Sequence, residues 1–126
     1  MATLSSLPVV LSLSLILFSA IPETIMVDAC HPFPQLPEKT WCVANPSAKE
    51  VDLQNNIDFA CSKIDCSLIQ YDGLCFFPDT NISHASVAMN LYYQSNGRNS
   101  WNCYFGGSGL LVTTDPSYGT CKYEFF

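Results

Sequence analysis

The chain has 126 residues, 48% of them hydrophobic and 13% charged, and its 5 basic and 11 acidic residues give a formal net charge of −6. A chain of this length forms one small domain. So few basic residues exclude nucleic-acid binding by phosphate neutralisation and disfavour anionic membranes. Seven cysteines behind an apolar leader indicate a secreted disulfide-rich protein and disfavour a reducing compartment.

The first residues are typical of a secretory leader. Val9 to Phe18 form an uncharged apolar run that is too short to span a bilayer but suits a signal peptide. Cleavage is expected after Ala29, with Ala20 as the alternative, so residues 1–29 are predicted to be removed. Because only five residues follow Cys121 and two of them are charged, we expect no lipid anchor and a free extracellular protein.

A short arm follows the leader. Residues 30–39 contain Pro32, Pro34 and Pro37, which favour extended backbone. Residues 40–126 are predicted to form the single folded module. Cys30, the odd cysteine, is expected to form a disulfide-linked dimer or to stay a blocked thiol.

The first helix is predicted over about Ala48 to Cys61. Ser47 and Glu50 match the spacing of a capping box, in which each side chain satisfies an amide of the first turn. Helical periodicity predicts one apolar stripe facing inward, formed by Leu53, Ile57, Ala60 and Cys61. It leaves four polar residues in solvent, Lys49, Asp52, Asn55 and Asn56.

The second helix is predicted over about His84 to Ser95. Its core face is expected to carry Ala85, Ala88, Met89 and Tyr92. The opposite side holds Val87, Asn90, Leu91 and Gln94. Because an exposed Val and Leu beside two amides are unusual for a solvated face, this side is predicted to be a partner surface.

The remaining sequence is rich in strand and turn signals. Strands are predicted at Trp101–Phe105, Leu110–Thr114 and Thr120–Phe125. Glycines at 106, 107 and 109 indicate one turn, and Asp115 is expected to cap its own backbone in another. The predicted class is α+β, a small disulfide-rich domain with two helices packed on a small antiparallel sheet.

Six cysteines remain once Cys30 is set aside, and six cysteines allow fifteen pairings. A disulfide framework is favoured over a metal site because the chain has no C-x-x-C pair, and neither His31 nor His84 has a partner at ligand spacing. We therefore expect neither a metal nor a cofactor.

Ordered motifs from Trp41 to about Tyr123 resemble the plant family 43 carbohydrate-binding modules. Such modules occur as single-module secreted proteins, including pollen allergens of the olive type, and behind the catalytic domains of β-1,3-glucanases. The resemblance depends on Trp41-Cys42-Val43, Leu53-Gln54, Ile57-Asp58-Phe59-Ala60-Cys61, Asp65-Cys66, Gly73-Leu74-Cys75-Phe76, His84-Ala85-Ser86, Tyr92-Tyr93-Gln94, Gly97-Arg98, Cys103 and Asp115-Pro116-Ser117 with Cys121.

This resemblance implies the two-helix fold, binding of β-1,3-glucans such as callose or laminarin in the plant cell wall, and no catalysis. It also implies three disulfides, Cys42–Cys103, Cys61–Cys66 and Cys75–Cys121. The chain departs from the family pattern at two helix positions, with Val87 where Tyr is usual and Met89 where Phe is usual. If the family's Tyr stacks on sugar, its replacement by Val87 removes that aromatic stacking surface.

A neutral glucan needs flat aromatic rings for stacking and amides for hydrogen bonding. On this basis the candidate glucan-binding residues are Asn90, Gln94, Tyr93, Val87, Tyr71, Phe77 and Tyr118. Hydrolysis is not expected, because a glycosidase needs two carboxylates across a cleft and the acids here are scattered.

Asn81-Ile82-Ser83 is an N-glycosylation sequon, so a glycan is expected on Asn81. The leading hypothesis is a secreted, non-catalytic β-1,3-glucan-binding module. The alternative is a secreted defence or protein-interaction factor on the same fold that has lost sugar binding, as Val87 would allow. A lipid carrier is a third hypothesis, disfavoured because the Gly-rich second half predicts a sheet rather than a helical tunnel.

Overall fold

The structure is a computed structural model that describes residues 38–126. The predicted signal peptide, Cys30 and most of the Pro-rich arm lie outside the described residues. In this part of the chain, two helices and two strands make up the regular structure, with three 3₁₀ turns between them. In chain order they are β1 (Trp41–Ala44), α1 (Glu50–Cys61), a 3₁₀ turn (Ser67–Ile69), α2 (Asn81–Ser95), two further 3₁₀ turns (Ser100–Cys103 and Phe105–Gly107) and β2 (Gly109–Val112).

The sheet consists of β1 and β2 paired antiparallel, with Trp41 opposite Val112 and Ala44 opposite Gly109. The other edge of β1 is covered by α2, whose side chains replace a third strand. Asn90 Oδ1 accepts from the Cys42 amide at 3.1 Å and Ser86 Oγ from the Ala44 amide at 2.9 Å. This arrangement confirms the predicted α+β class.

Two of the predicted strands are wrong. Trp101 lies in a 3₁₀ turn, because Cys103 is bonded to β1 and Gly106 and Gly107, with φ of 63° and 90°, end any extended run. The segment 120–125 contributes only an isolated bridge between Tyr118 and Cys121. The strand predicted from Leu110 is present, but it runs from Gly109 to Val112.

The predicted capping box of α1 is also wrong. The helix begins at Glu50 after Lys49, which makes no side-chain cap. Asn45 Oδ1 instead accepts from the Ser47 amide at 3.0 Å and its hydroxyl at 2.9 Å, while Glu50 Oε2 accepts from Asn81 Nδ2 at 3.0 Å. An Asx turn thus competes successfully for Ser47.

α2 begins three residues earlier than predicted, where Thr80 Oγ1 accepts from the Ser83 amide at 3.3 Å. Nine of its fifteen residues are buried. The predicted exposed face is therefore wrong, since Val87, Asn90, Leu91 and Gln94 are all buried. The reason is that α1, β1 and residues 122–126 all contact this helix.

All three disulfides implied by the family resemblance are confirmed: Cys42–Cys103, Cys61–Cys66 and Cys75–Cys121. The long-range pairs each lie in one of two apolar clusters that flank α2. One cluster contains Cys75 and Cys121 with Val87 and Leu91, and the other contains Cys42 and Cys103 with Met89. The disulfides thereby fix the chain around the central helix.

Candidate functional site

Asn90 and Gln94 are structural residues in the described fold. Asn90 Oδ1 accepts from the Cys42 amide and from Gln94 Nε2, at 3.1 and 3.2 Å, and its Nδ2 donates to the Glu124 carbonyl at 2.9 Å. Gln94 Nε2 also donates to the Thr40 carbonyl at 2.9 Å. Because these buried amides already bond to the chain, the geometry contradicts their predicted position facing a sugar.

Tyr93 and Val87 also lie in the interior. The Tyr93 hydroxyl is 2.7 Å from Thr40 Oγ1, and Val87 packs in the cluster around Cys75. The change from the family's Tyr to Val87 therefore concerns core packing here. It does not remove an exposed platform.

The other three predicted residues lie at the surface and come together. Tyr71, Phe77 and Tyr118 are 80%, 72% and 38% exposed. Phe76 connects the first two, with its ring centroid 5.7 Å from Tyr71 and 5.0 Å from Phe77, and the Tyr118 hydroxyl donates to the Phe77 carbonyl at 2.9 Å. We call Tyr71, Leu74, Phe77 and Tyr118 the Tyr71 surface.

Another aromatic surface, a groove, lies elsewhere, among α1, α2 and the 3₁₀ turns. It has a volume of about 390 Å³ and is named the Trp101 groove. Its lining residues are Asn55, Asn56, Phe59, Tyr92, Trp101, Asn102 and Phe105. None of these side chains carries a charge.

Three rings build one part of the groove. Phe59 on α1 packs edge-on against Tyr92 on α2, with centroids 5.1 Å apart, and Phe105 lies 5.9 Å from Tyr92 and 6.2 Å from Phe59. Such edge-to-face contacts fix the orientation of each ring. The aromatic surface is therefore formed before any ligand arrives.

Trp101 is 72% exposed, although its backbone is tightly held. Its turn ends at Cys103, which is bonded to Cys42 in β1. Gly109 packs so closely on this turn that a Cβ there would lie 1.8 Å from the Cys103 carbonyl oxygen. The result is a flat apolar ring presented to solvent on a rigid support.

Amides provide the polar groups of the groove. Asn55 is exposed, whereas Asn56 is buried and donates through Nδ2 to Ser108 Oγ at 2.7 Å. Asn102 Oδ1 is buried and has no hydrogen-bond partner among the described residues. An uncharged groove with amides and aromatic rings suits a neutral polyhydroxylated ligand.

Sequence reasoning missed this groove because it placed Trp101 in a strand and Asn55 and Asn56 in plain solvent. Two signals pointed to it. Asn55 and Phe59 are four residues apart, outside the apolar stripe of α1, and therefore share a helix face. Asn102 directly follows Trp101, so an amide accompanies the exposed ring.

Two described residues, Asp115 and Tyr123, have a clearly shifted pKa, and neither belongs to the Tyr71 surface or lines the Trp101 groove. The Ser117 hydroxyl and amide both donate to Asp115 and lower the pKa of that carboxyl, which confirms that Asp115 caps its own turn. Burial raises the pKa of Tyr123, with a further contribution from Tyr118. Among residues 38–126 no three His, Cys, Asp or Glu side chains group closely enough to hold a metal ion.

The X8 domain model matches residues 40–110. The chain belongs to the X8 domain family. This confirms the resemblance to the plant family 43 carbohydrate-binding modules. The matched residues include the whole lining of the Trp101 groove.

Relatives of this X8 domain protein are of two kinds. "Major pollen allergen Ole e 10" of Olea europaea is 46% identical over 107 residues, covering 81% of this chain and 87% of the allergen. "Glucan endo-1,3-beta-glucosidase" of Triticum aestivum is 52% identical over 83 residues, and an Olea europaea "Glucan endo-1,3-beta-D-glucosidase" is 51% identical over 85. The matches cover 66% and 67% of this chain but only 18% of each glucosidase.

The X8 domain protein therefore corresponds to a small part of those glucosidases. Hydrolysis of a glycoside needs two carboxylates on either side of the bond. In the described part of the chain, neither Asp nor Glu lines the Trp101 groove.

Proposed function

We propose that this X8 domain protein is a non-catalytic module that binds β-1,3-glucan in the plant cell wall, with the sugar held in the Trp101 groove. The observation that carries the proposal is the exposed, rigidly supported Trp101 beside an uncharged groove of rings and amides. A glucan presents weakly positive C–H faces and many hydroxyls but no charge. Aromatic ring faces stack on the C–H faces, and amides donate hydrogen bonds to the hydroxyls and accept hydrogen bonds from them.

The relatives support the choice of polymer. Two proteins named for endo-1,3-β-glucosidase activity contain a segment about half identical to this chain. A binding module attached to such an enzyme would hold it on its own substrate. The stand-alone relative from olive shows that the module also exists in a chain of similar size to this one.

The protein-interaction alternative depended on Val87 as a lost sugar platform. Since Val87 is buried, it gives no reason to expect loss of binding. No other feature of residues 38–126 favours that alternative over the Trp101 groove.

A titration with soluble β-1,3-gluco-oligosaccharide, followed by tryptophan fluorescence and calorimetry, tests the proposal. We expect saturable binding with Kd of about 10 to 100 μM, equivalent to roughly −5 to −7 kcal/mol. Trp101→Ala should weaken binding by about ten-fold or more, as expected for an aromatic anchor.

Tyr104→Ala is the matched control, because Tyr104 is an exposed ring that lines neither surface. Cellulose oligosaccharides serve as the ligand control. Lack of binding up to millimolar β-1,3-glucan would contradict the function. Unchanged binding by Trp101→Ala would contradict the placement of the site.

We further propose that the protein is secreted after removal of residues 1–29. Three disulfides support an oxidising compartment. None of the helices in residues 38–126 is long and apolar enough to cross a membrane. A dimer through Cys30 is proposed as well, and non-reducing electrophoresis should show a dimer band that Cys30→Ser removes.

N-glycosylation is proposed at Asn81, the first residue of α2. Its Nδ2 donates to Glu50 Oε2 at 3.0 Å, so a glycan would leave the helix on the side of α1. Asn90 lies nine residues further along and is buried, so the glycan and Asn90 do not share a surface. Glycosidase treatment of the secreted protein should lower its mass, whereas Asn81→Gln should show no change.

A further inference from the structure

We propose that the Tyr71 surface is a second β-1,3-glucan site, so that one X8 domain holds two stretches of glucan at the same time. This inference depends on the proposed function, because it assigns the same ligand to a second surface. It concerns residues that are separate from the Trp101 groove, since none of the described residues lines both.

The exposed rings of the Tyr71 surface are held in place by the fold. The edge-to-face contacts of Phe76 orient Tyr71 and Phe77, and Phe76 itself is anchored by its carbonyl 2.6 Å from His84 Nε2. The Cys75–Cys121 disulfide fixes the neighbouring turn that carries Tyr118. Exposed aromatic rings that are this constrained are preorganised for stacking.

Two adjoining grooves extend along this surface and meet at Gly73 and Leu74. One has a volume of about 390 Å³ and passes Tyr71, and the other has about 280 Å³ and passes Phe77 and Tyr118. Gly73 allows the close packing, because a Cβ there would lie 2.3 Å from the Leu68 carbonyl oxygen. The pair forms one extended track with rings along it, which suits a chain-like ligand.

The polar lining of the track favours a neutral sugar. Asp72 is the only charged side chain along its two described grooves, and it would repel a polyanion. Gln70 and Thr120 supply an amide and a hydroxyl that can donate to or accept from sugar hydroxyls. The composition thus parallels that of the Trp101 groove, where rings alternate with uncharged hydrogen-bonding groups.

The two sites lie far enough apart to be filled together. His84, beside the Tyr71 surface, and Tyr92, in the Trp101 groove, are eight residues apart on α2, or about 12 Å along the helix axis. A glucan repeats the same unit along its length, so it offers ligands for both. Two weak sites on one module then bind a polymer more tightly than either alone.

The test maps binding of laminaripentaose to the secreted full chain by NMR, using separate reporters for each surface. The Trp101 indole reports on the groove, and the backbone amides of residues 70–77 and 117–120 report on the Tyr71 surface. We expect both sets to shift in the wild type. In Trp101→Ala, the backbone amides of the Tyr71 surface should still shift on addition of sugar. In Tyr71→Ala, the Trp101 indole signal should still shift.

Polymer binding provides the second readout. On insoluble β-1,3-glucan, the wild type should bind at least about ten-fold more tightly than either variant, while Tyr104→Ala behaves as wild type. Thermal unfolding confirms that each variant is folded; Tyr71 is 80% exposed, so its loss removes little buried area.

The outcomes separate the two proposals. If the Trp101 indole shifts while residues 70–77 and 117–120 do not, the second site is refuted and the proposed function stands. If the Tyr71 surface responds in the wild type but not in Trp101→Ala, there is one site and bivalency is wrong. If neither set responds, the proposed function fails and the second site fails with it.

Discussion

Replacing Asn90 with alanine tests whether this residue supports the fold rather than the ligand. The side chain makes three hydrogen bonds, to the Cys42 amide, to Gln94 Nε2 and to the Glu124 carbonyl. Cys42 is fully buried, so its amide would lose its acceptor where water cannot replace it. An unsatisfied buried donor costs about 1–3 kcal/mol.

The total effect is larger than that single cost. The Glu124 carbonyl belongs to an exposed residue and can be hydrated, so its loss adds little. The cavity left by the shortened side chain adds a further contribution. We expect Asn90→Ala to lower the free energy of unfolding by about 2–4 kcal/mol in total.

Urea unfolding with the disulfides intact measures this change. With a slope of about 1–3 kcal/mol per molar urea, the midpoint should fall by roughly 0.7–4 M. Asn55→Ala is the matched control: the same residue type, exposed and in the Trp101 groove, should change stability by less than about 0.5 kcal/mol. Asn55→Ala should weaken glucan binding, whereas Asn90→Ala, where still folded, should not. A stability loss below about 0.5 kcal/mol for Asn90→Ala would refute this reasoning.

Two further predictions concern stability. In the chain-entropy model, removing the Cys61–Cys66 bridge should cost about 2 kcal/mol and removing the Cys42–Cys103 bridge about 4 kcal/mol, because their sequence separations are 5 and 61 residues. Denaturant midpoints of the paired alanine variants give the comparison, and equal losses would contradict it. Burial raises the pKa of Tyr123 in the folded state. The stability that its neutral side chain contributes is therefore fully present below the unfolded pKa of about 10 and is lost as the pH rises above that value. Tyr123→Phe should therefore flatten the fall in Tm above pH 10, and an unchanged slope would argue against it.

The fold was predictable where local signals agree with tertiary packing. Apolar periodicity located both helices to within a few residues, and the glycine turn before Leu110 marked one true strand. The disulfide pairing came from the family resemblance, since six cysteines alone leave fifteen possibilities. β1 was not predicted: four residues are too short to show a period.

The error on α2 has a physical cause. Helical periodicity assumes one buried side, but this helix lies between two apolar clusters, so Met89 and Val87 are both buried on different faces. Asn90 and Gln94 are then buried because they hydrogen-bond to the backbone of Cys42 and Thr40, on the side where no strand pairs with it. Local sequence does not encode which neighbours cover a helix.

The candidate site was only partly predictable for the same reason. Composition showed an excess of aromatic residues, but not which rings the fold leaves at the surface. Tyr71 and Tyr118 were identified from their place in turns, where chain segments are usually exposed. Trp101 was missed because its exposure depends on a disulfide and on the close approach of Gly109, both of which are tertiary features.

The most direct test of the glucan-binding claim follows the two indole N–H signals of the protein during titration with β-1,3-gluco-oligosaccharide. Trp101 is exposed in the groove, whereas Trp41 is buried and packs against Phe125 at 5.9 Å. The account predicts that the Trp101 signal shifts in a saturable manner and that the Trp41 signal stays in place. A stationary Trp101 signal at saturating sugar, or a shift confined to Trp41, would contradict it.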